Sequence, residues 1–175
     1  MLRLRPYKQN DSETIAEWLK EEDVFLKWGG KLFGDFPISA EIIDEKYRNK
    51  NGGCEEPDNF YPWVAIDEEN NVVGHFIMRY LHGDNRIIRF GWVIVDDKKR
   101  GKGYGKQMLQ SGLKYAFEIM DAKEINLGVF VNNEPAHNCY KAAGFRDSEI
   151  REGNPWQVME MVMHREDYIS SKESM

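Results

Sequence analysis

Apolar residues recur along this chain with two different periods, and the places where the period changes mark out its elements. Leu2-Arg3-Leu4-Arg5 alternates and opens a strand. Ile15, Trp18 and Leu19 then form a helical stripe in a segment that Asp11 or Ser12 can cap and that runs to Lys20. A second helix is expected from Ala40, after Ser39 as its cap, to Arg48. Period-two segments follow at Tyr61–Asp67 and Val72–Leu81, and His82-Gly83-Asp84-Asn85 turns the chain into a strand ending at Val95. Met108, Leu109, Gly112, Leu113, Ala116, Phe117 and Met120 return to helical spacing. Ile125–Val131 alternates again, and Pro135, Ala136, Tyr140 and Ala143 outline a short helix stopped by Gly144. Phe145–Arg151 and Trp156–His164 read as a closing strand pair around Gly153-Asn154-Pro155.

Two stretches escape this pattern. Residues 24–37 are rich in aromatics and glycine, with Trp28 and Phe33 free either to pack beneath the first helices or to line a binding wall. Residues 169–175 read as a frayed tail after a single domain spanning 1–168.

A chain of 175 residues can bury a sizeable core in one domain. Its net charge of −6 argues against nucleic acid as partner, and no apolar run approaches membrane-spanning length. Cys54 and Cys139 form no metal-ligand or disulfide spacing, which points to a reduced, cytoplasmic protein with no metal. Acidic clusters at 21–23, 55–58 and 67–69 are either solvated turns or a means of steering a cationic amine. Met159, Met161 and Met163 share one strand face, as core or as interface.

Charge matters most at Lys98, Lys99, Arg100, Lys102 and Lys106, where five cations fall in nine residues. They overlap Arg100-Gly101-Lys102-Gly103-Tyr104-Gly105-Lys106, a glycine-rich turn between the strand ending at Val95 and the helix that follows. Glycines allow close backbone approach to a ligand, and a helix's first turn presents unpaired N–H groups at the positive end of its dipole. Such a turn suits phosphate. A Walker loop does not fit: Gly101 to Gly105 is one residue short, and Gln107 stands where a hydroxyl is needed. A dinucleotide turn does not fit either, because Met108 or Lys106 takes the place of the third glycine.

Arg100-x-x-Gly103-x-Gly105 resembles the acetyl-coenzyme A loop of the GNAT N-acetyltransferase family. Downstream, Asn133, Ala136, Tyr140, Gly144 and Phe145 match that family's second motif at every position. The resemblance implies an α/β domain with a mixed, mostly antiparallel seven-stranded sheet flanked by about four helices. Its parallel central strands would splay to admit acetyl-coenzyme A, with the backbone of Val93, Ile94 and Val95 holding the pantetheine arm. It further implies that Arg100, Gly101, Lys102, Gly103, Tyr104, Gly105 and Lys106 meet the phosphates, that Asn133 binds the arm or caps its helix, and that Tyr140 serves the departing thiol. A homodimer is left open.

The implied reaction moves an acetyl group from acetyl-coenzyme A to a primary amine, a small amine or a protein amino terminus, by direct attack in a ternary complex. A catalytically silent acetyl-coenzyme A sensor is the alternative. At pH 7 only about one lysine-like amine in 2,500 is neutral, so the enzyme must recover roughly 4–5 kcal/mol. The two places where the family carries a glutamate base hold Gly128 and Ile87 here, and Asp97 replaces a frequent proline. His82, Asp84 and His137 are the substitutes the sequence offers.

Overall fold

The computed structural model describes residues 1–81 and 83–174. Seven strands form one sheet in the order β1-β2-β3-β4-β5-β7-β6. They are β1 (Arg3–Pro6), β2 (Tyr61–Ile66), β3 (Val72–Leu81), β4 (Asp84–Val95), β5 (Glu124–Phe130), β6 (Arg146–Arg151) and β7 (Val158–His164). All neighbours pair antiparallel except β4 and β5. Among the described residues there are six α-helices, where the sequence suggested about four: α1 (Asp11–Trp18), α2 (Glu22–Gly29), α3 (Ala40–Asp44), α4 (Tyr104–Glu118), α5 (Glu134–Ala143) and α6 (Arg165–Glu173).

The extra helices have plain causes. Residues 22–29 carry Phe25 and Trp28 one turn apart, and Glu22 and Asp23 complement the positive end of the helix they begin. The expected second helix starts at Ala40, where the Ser39 hydroxyl accepts the Ile42 N–H (3.4 Å), but it widens into a π-turn over Glu45–Asn49. The segment expected to fray from 169 is instead helical to Glu173. Tyr168 stacks on Phe117 with ring centroids 4.8 Å apart, and its hydroxyl donates to Glu118 (2.7 Å).

Strand alternation splits the core into two layers. Phe76, Met78, Ile88, Phe90, Ile125, Leu127, Met161 and Met163 face α4 and α5, so the methionine row is core. Ile77, Ile94 and Trp92 face the other way, onto Phe25, Trp28, Phe33 and Tyr47 from the α1–α3 side. Phe25 is fully buried, and Trp28 and Phe33 nearly so. Among the described residues no helix is long and apolar enough to cross a membrane.

Candidate active site

The seam between β4 and β5 is short. Ile87, Ile88 and Arg89 pair in parallel with Glu124, Ile125 and Asn126, and beyond them the strands part. Within the diverging half, β4 departs from regular pairing with β3: His75 faces Ile94 and Ile77 faces Gly91, which leaves one extra residue on β4. Trp92 sits there with φ of +47°, a backbone state that side-chain-bearing residues seldom adopt. Its carbonyl accepts the Trp28 indole N–H at 2.7 Å. At the bulge neither Trp92 nor Val93 has a partner in the β3 register.

The glycine-rich segment lies at the end of β4. After a single 3-10 turn at Asp97–Lys99, the chain reaches Gly103, the residue before α4, in the left-handed region at φ of +79°. Arg100, Gly101, Lys102, Gly103 and Lys106 are exposed there, while Tyr104 is half-buried against the core. Lys99 reaches Asp67 (3.8 Å), and the Arg100 guanidinium turns back to donate to the Val95 carbonyl at 3.4 Å. Val93 and Val95 are half-buried and Ile94 is buried.

Gly105 joins three segments. A Cβ on it would stand 2.9 Å from the Cys139 Sγ of α5 and 3.6 Å from a methyl of Val95. Strand end, glycine turn and α5 therefore converge on one point, with Tyr140 beside it. Tyr140 is 6% exposed, and burial raises its phenol well above the usual value. Asn133 precedes α5 without capping it: its side chain makes no cap hydrogen bond, and its N–H donates to the Phe130 carbonyl (2.8 Å).

The proposed substitutes for a base fare differently. Asp84 begins β4, seven residues from Gly91 and so roughly 23 Å along the strand. It is held by Lys123 (2.8 Å), which lowers its carboxyl pKa. His137 is taken up by Asp147 of β6, 2.6 Å from its Nε2. His82 lies outside the described residues.

On the α2 side of the sheet the diverging strands open into a cleft of about 340 Å³. Gly91, Trp92, Gly128 and Phe130 contribute to its floor, and Trp28, Lys46 and Phe60 to its walls. Trp28 thus serves both earlier readings, as a core residue that also borders the cleft, whereas Phe33 is a core residue and does not line it. Tyr140 packs on the opposite layer and does not line it.

Sequence inspection missed the charged cluster at the cleft floor, where Arg89 and Arg151 line the cleft and share a carboxylate behind it. Glu160 of β7 accepts two hydrogen bonds from Arg89 (2.7 and 3.1 Å), and Arg151 donates to the same carboxylate. Arg89 also donates to Asn126 (3.0 Å). Burial alone would raise the Glu160 pKa, but the two guanidiniums hold it below the carboxylate range. The available signal was a lone acid between methionines in Met159-Glu160-Met161, which an inward-facing pair explains.

Comparison with known proteins agrees with this geometry. Residues 1–146 match the model of the acetyltransferase (GNAT) domain. An N-alpha-acetyltransferase of Sulfurisphaera tokodaii is 31% identical over half of this chain, and the match spans 58% of that protein, less than two thirds of its length. A spermine/spermidine N(1)-acetyltransferase of Bacillus subtilis is 34% identical over 58% of the chain and 70% of the relative. The crystal structure of spermidine N-acetyltransferase from Vibrio cholerae with coenzyme A and spermine superposes with a TM-score of 0.77 at 22% identity, covering 96% of this chain and 98% of that one. A short parallel seam, a bulged β4 and a left-handed glycine before α4 thus occur in a chain that belongs to the GNAT acetyltransferase domain family.

Proposed function

We propose that the protein transfers an acetyl group from acetyl-coenzyme A to a primary amine by direct attack in a ternary complex. The observation that carries this reading is the convergence of Val95, Gly105 and Cys139 beside the parting of β4 and β5. Diphosphate would sit on the first turn of α4, among Arg100, Lys102 and Lys106 and the backbone of Gly101–Gly105. The arm would follow β4 past Val95, Ile94 and Val93 toward the bulge, with Asn133 at its side. Two strands that part leave amide groups that a pantetheine arm can satisfy as a third strand would. Two free cysteines suit a reducing, cytoplasmic setting.

In the chemical step, the neutral amine nitrogen attacks the thioester carbon. The carbonyl electron pair moves to oxygen, where a backbone N–H at the bulge steadies it. Collapse of the tetrahedral species breaks the carbon–sulfur bond, and the proton shed by nitrogen ends on sulfur, giving amide and free coenzyme A. Burial keeps Tyr140 protonated. A thiol titrates near 8.5 and an unperturbed phenol near 10, so full transfer from Tyr140 to the thiolate runs uphill. Its role is therefore to donate a hydrogen bond to the leaving sulfur.

The test is thiol release from acetyl-coenzyme A against an amine panel, alongside Tyr140→Phe. Turnover that falls about tenfold or more in the variant, with acetyl-coenzyme A still bound, supports the assignment. Binding without turnover on any amine would favour a silent acetyl-coenzyme A sensor. Absence of binding would overturn the role given to the Arg100–Lys106 turn.

A further inference from the structure

Arg79 and Arg89 are direct cross-strand partners of β3 and β4, on the sheet face that lines the cleft. Like charges placed opposite each other destabilise a strand pair unless something compensates them. Arg89 has its compensation in Glu160, shared with Arg151. Among the described residues Arg79 has no carboxylate partner. It stands beside the Cys54 thiol, which burial pushes up and Arg79 pulls back.

The remaining lining charges have the same sign. Lys27 borders the cleft and pairs with Asp23 at 2.8 Å. Lys46 donates to the Leu32 carbonyl (2.9 Å) and lies over the Phe33 and Trp92 rings, 5.3 and 5.9 Å from their centroids. Partial burial and Lys50 lower its ammonium pKa. Glu56, whose charge acts on Cys54, is engaged by the Asn59 amide (3.2 Å). The lining therefore holds Lys27, Lys46, Arg79, Arg89 and Arg151 and, among the described residues, no carboxylate; Glu160 stands outside the lining and pairs with Arg89 and Arg151. With Asp23 and Glu160 each answering one cation, three positive charges stay uncompensated.

Resting on the acetyltransferase reading, we propose that the acceptor is an amine that also carries an anion, a carboxylate or phosphate, seated on Arg79 with Lys46. Arg79 lies two residues along β3 from Ile77, the partner of Gly91 at the bulge, or about 7 Å. The amine and anion are therefore a few bonds apart, as in a small amino acid, a dipeptide or an aminoalkyl phosphate. A polyamine has the wrong charge for this cleft. The same cations perform a second task. A positive charge nearby disfavours an ammonium ion and lowers its pKa, so the seated amine gives its proton to solvent water without a dedicated carboxylate base. Gly128 and Ile87, in place of the family glutamates, fit that scheme.

Matched acceptors test it: glycylglycine against glycylglycinamide, phosphoethanolamine against ethanolamine, and spermidine. The expected result is kcat/KM about tenfold or more higher for the anionic member of at least one pair, with spermidine the poorest acceptor. The two pairs separate carboxylate from phosphate. In Arg79→Gln the preference within the pair collapses toward one, Arg79→Lys restores part of it, and thermal stabilisation by acetyl-coenzyme A reports that each variant is folded. If Arg79→Gln does not fold, Lys46→Gln and a rise in KM for the anionic acceptor at high salt carry the same prediction. Equal or better turnover of spermidine or the neutral members overturns the anionic acceptor and leaves the acetyltransferase standing. Binding of acetyl-coenzyme A with no turnover of any amine overturns both.

Discussion

Gly128 and Glu160 face each other across β5 and β7, and the Glu160 Oε1 lies 3.3 Å from where a Gly128 Cβ would stand. The Arg89 Nη2 and a Val158 methyl would be closer still, at 2.8 Å. The Glu160–Arg89 pair thus fills the space beside Gly128, the position at which the motif resemblance implied a glutamate base. Gly128→Glu is expected to destabilise the fold by roughly 2–3 kcal/mol through overpacking and a second buried carboxylate, and not to raise turnover. Denaturant unfolding and a rate assay on the same preparation check both parts.

The strained Trp92 conformation depends on a hydrogen bond from Trp28. Trp28→Phe keeps most of the aromatic packing and removes the donor. Stability is expected to fall by about 1–2 kcal/mol, and turnover by more than acetyl-coenzyme A affinity, if the bulge orients the backbone proposed to meet the thioester carbonyl. A kcat fall no larger than the loss of affinity would separate the bulge from the chemistry.

Gly105 owes its identity to the Cys139 sulfur. Gly105→Ala gains helix propensity yet forces Sγ to move, with an expected net loss of about 1 kcal/mol and weaker acetyl-coenzyme A binding. The double variant with Cys139→Ala removes the obstruction and is expected to recover most of both. Additive losses in the thermodynamic cycle would show that the two positions are not coupled.

His75 supplies a pH dependence. It is fully buried, its Nδ1 2.8 Å from the Trp63 carbonyl and its Nε2 2.7 Å from the Tyr47 hydroxyl. That network suits a neutral ring donating from Nδ1 and accepting at Nε2. Burial lowers its pKa to about 4 from an unfolded value near 6.5. The unfolded chain therefore takes up the proton first, and stability falls as pH drops from about 6.5 to 4, by roughly 3 kcal/mol in all. Glu160 and Asp147, held low by their cationic neighbours, lose their contributions in a separate window below the ordinary carboxylate range. In His75→Gln the slope between pH 4 and 6.5 is expected to vanish, as chemical unfolding at several pH values would show.

The sheet was legible in the sequence because its signal is local. Alternation in Val72–Leu81 and the run to Val95 set strand limits that the structure keeps, and Gly144 takes the left-handed stop expected of it, at φ of +116°. Helix α2 was less visible, since Gly29, Gly30 and Gly34 mask a two-turn helix fixed by packing of Trp28 on Phe33 and Trp92. Helix α6 was hidden for a related reason: most of its residues are exposed, Tyr168 is its buried residue, and Arg165 ties its start to the Phe117 and Ala122 carbonyls. At the site, the glycine turn could be read because its residues are consecutive. The Arg79–Arg89–Glu160 arrangement could not, because it joins three strands through a register no linear pattern reports. His137 was a reasonable candidate by helical spacing, but its Asp147 partner lies on a strand whose placement the spacing does not contain.

Among the described residues, three paired positions of β4 and β5 and one further backbone bond, from the Lys123 N–H to the Arg86 carbonyl, stitch the first four strands to the last three. The molecule resembles a book with a short spine, and whatever lies between the pages helps to bind them. A ligand threaded there at a hundred times its dissociation constant would add about 2.7 kcal/mol to the fold. Survival of this protein in a cell would then follow the metabolic supply of its own co-substrate, and a starved cell would hold a looser, more readily degraded enzyme.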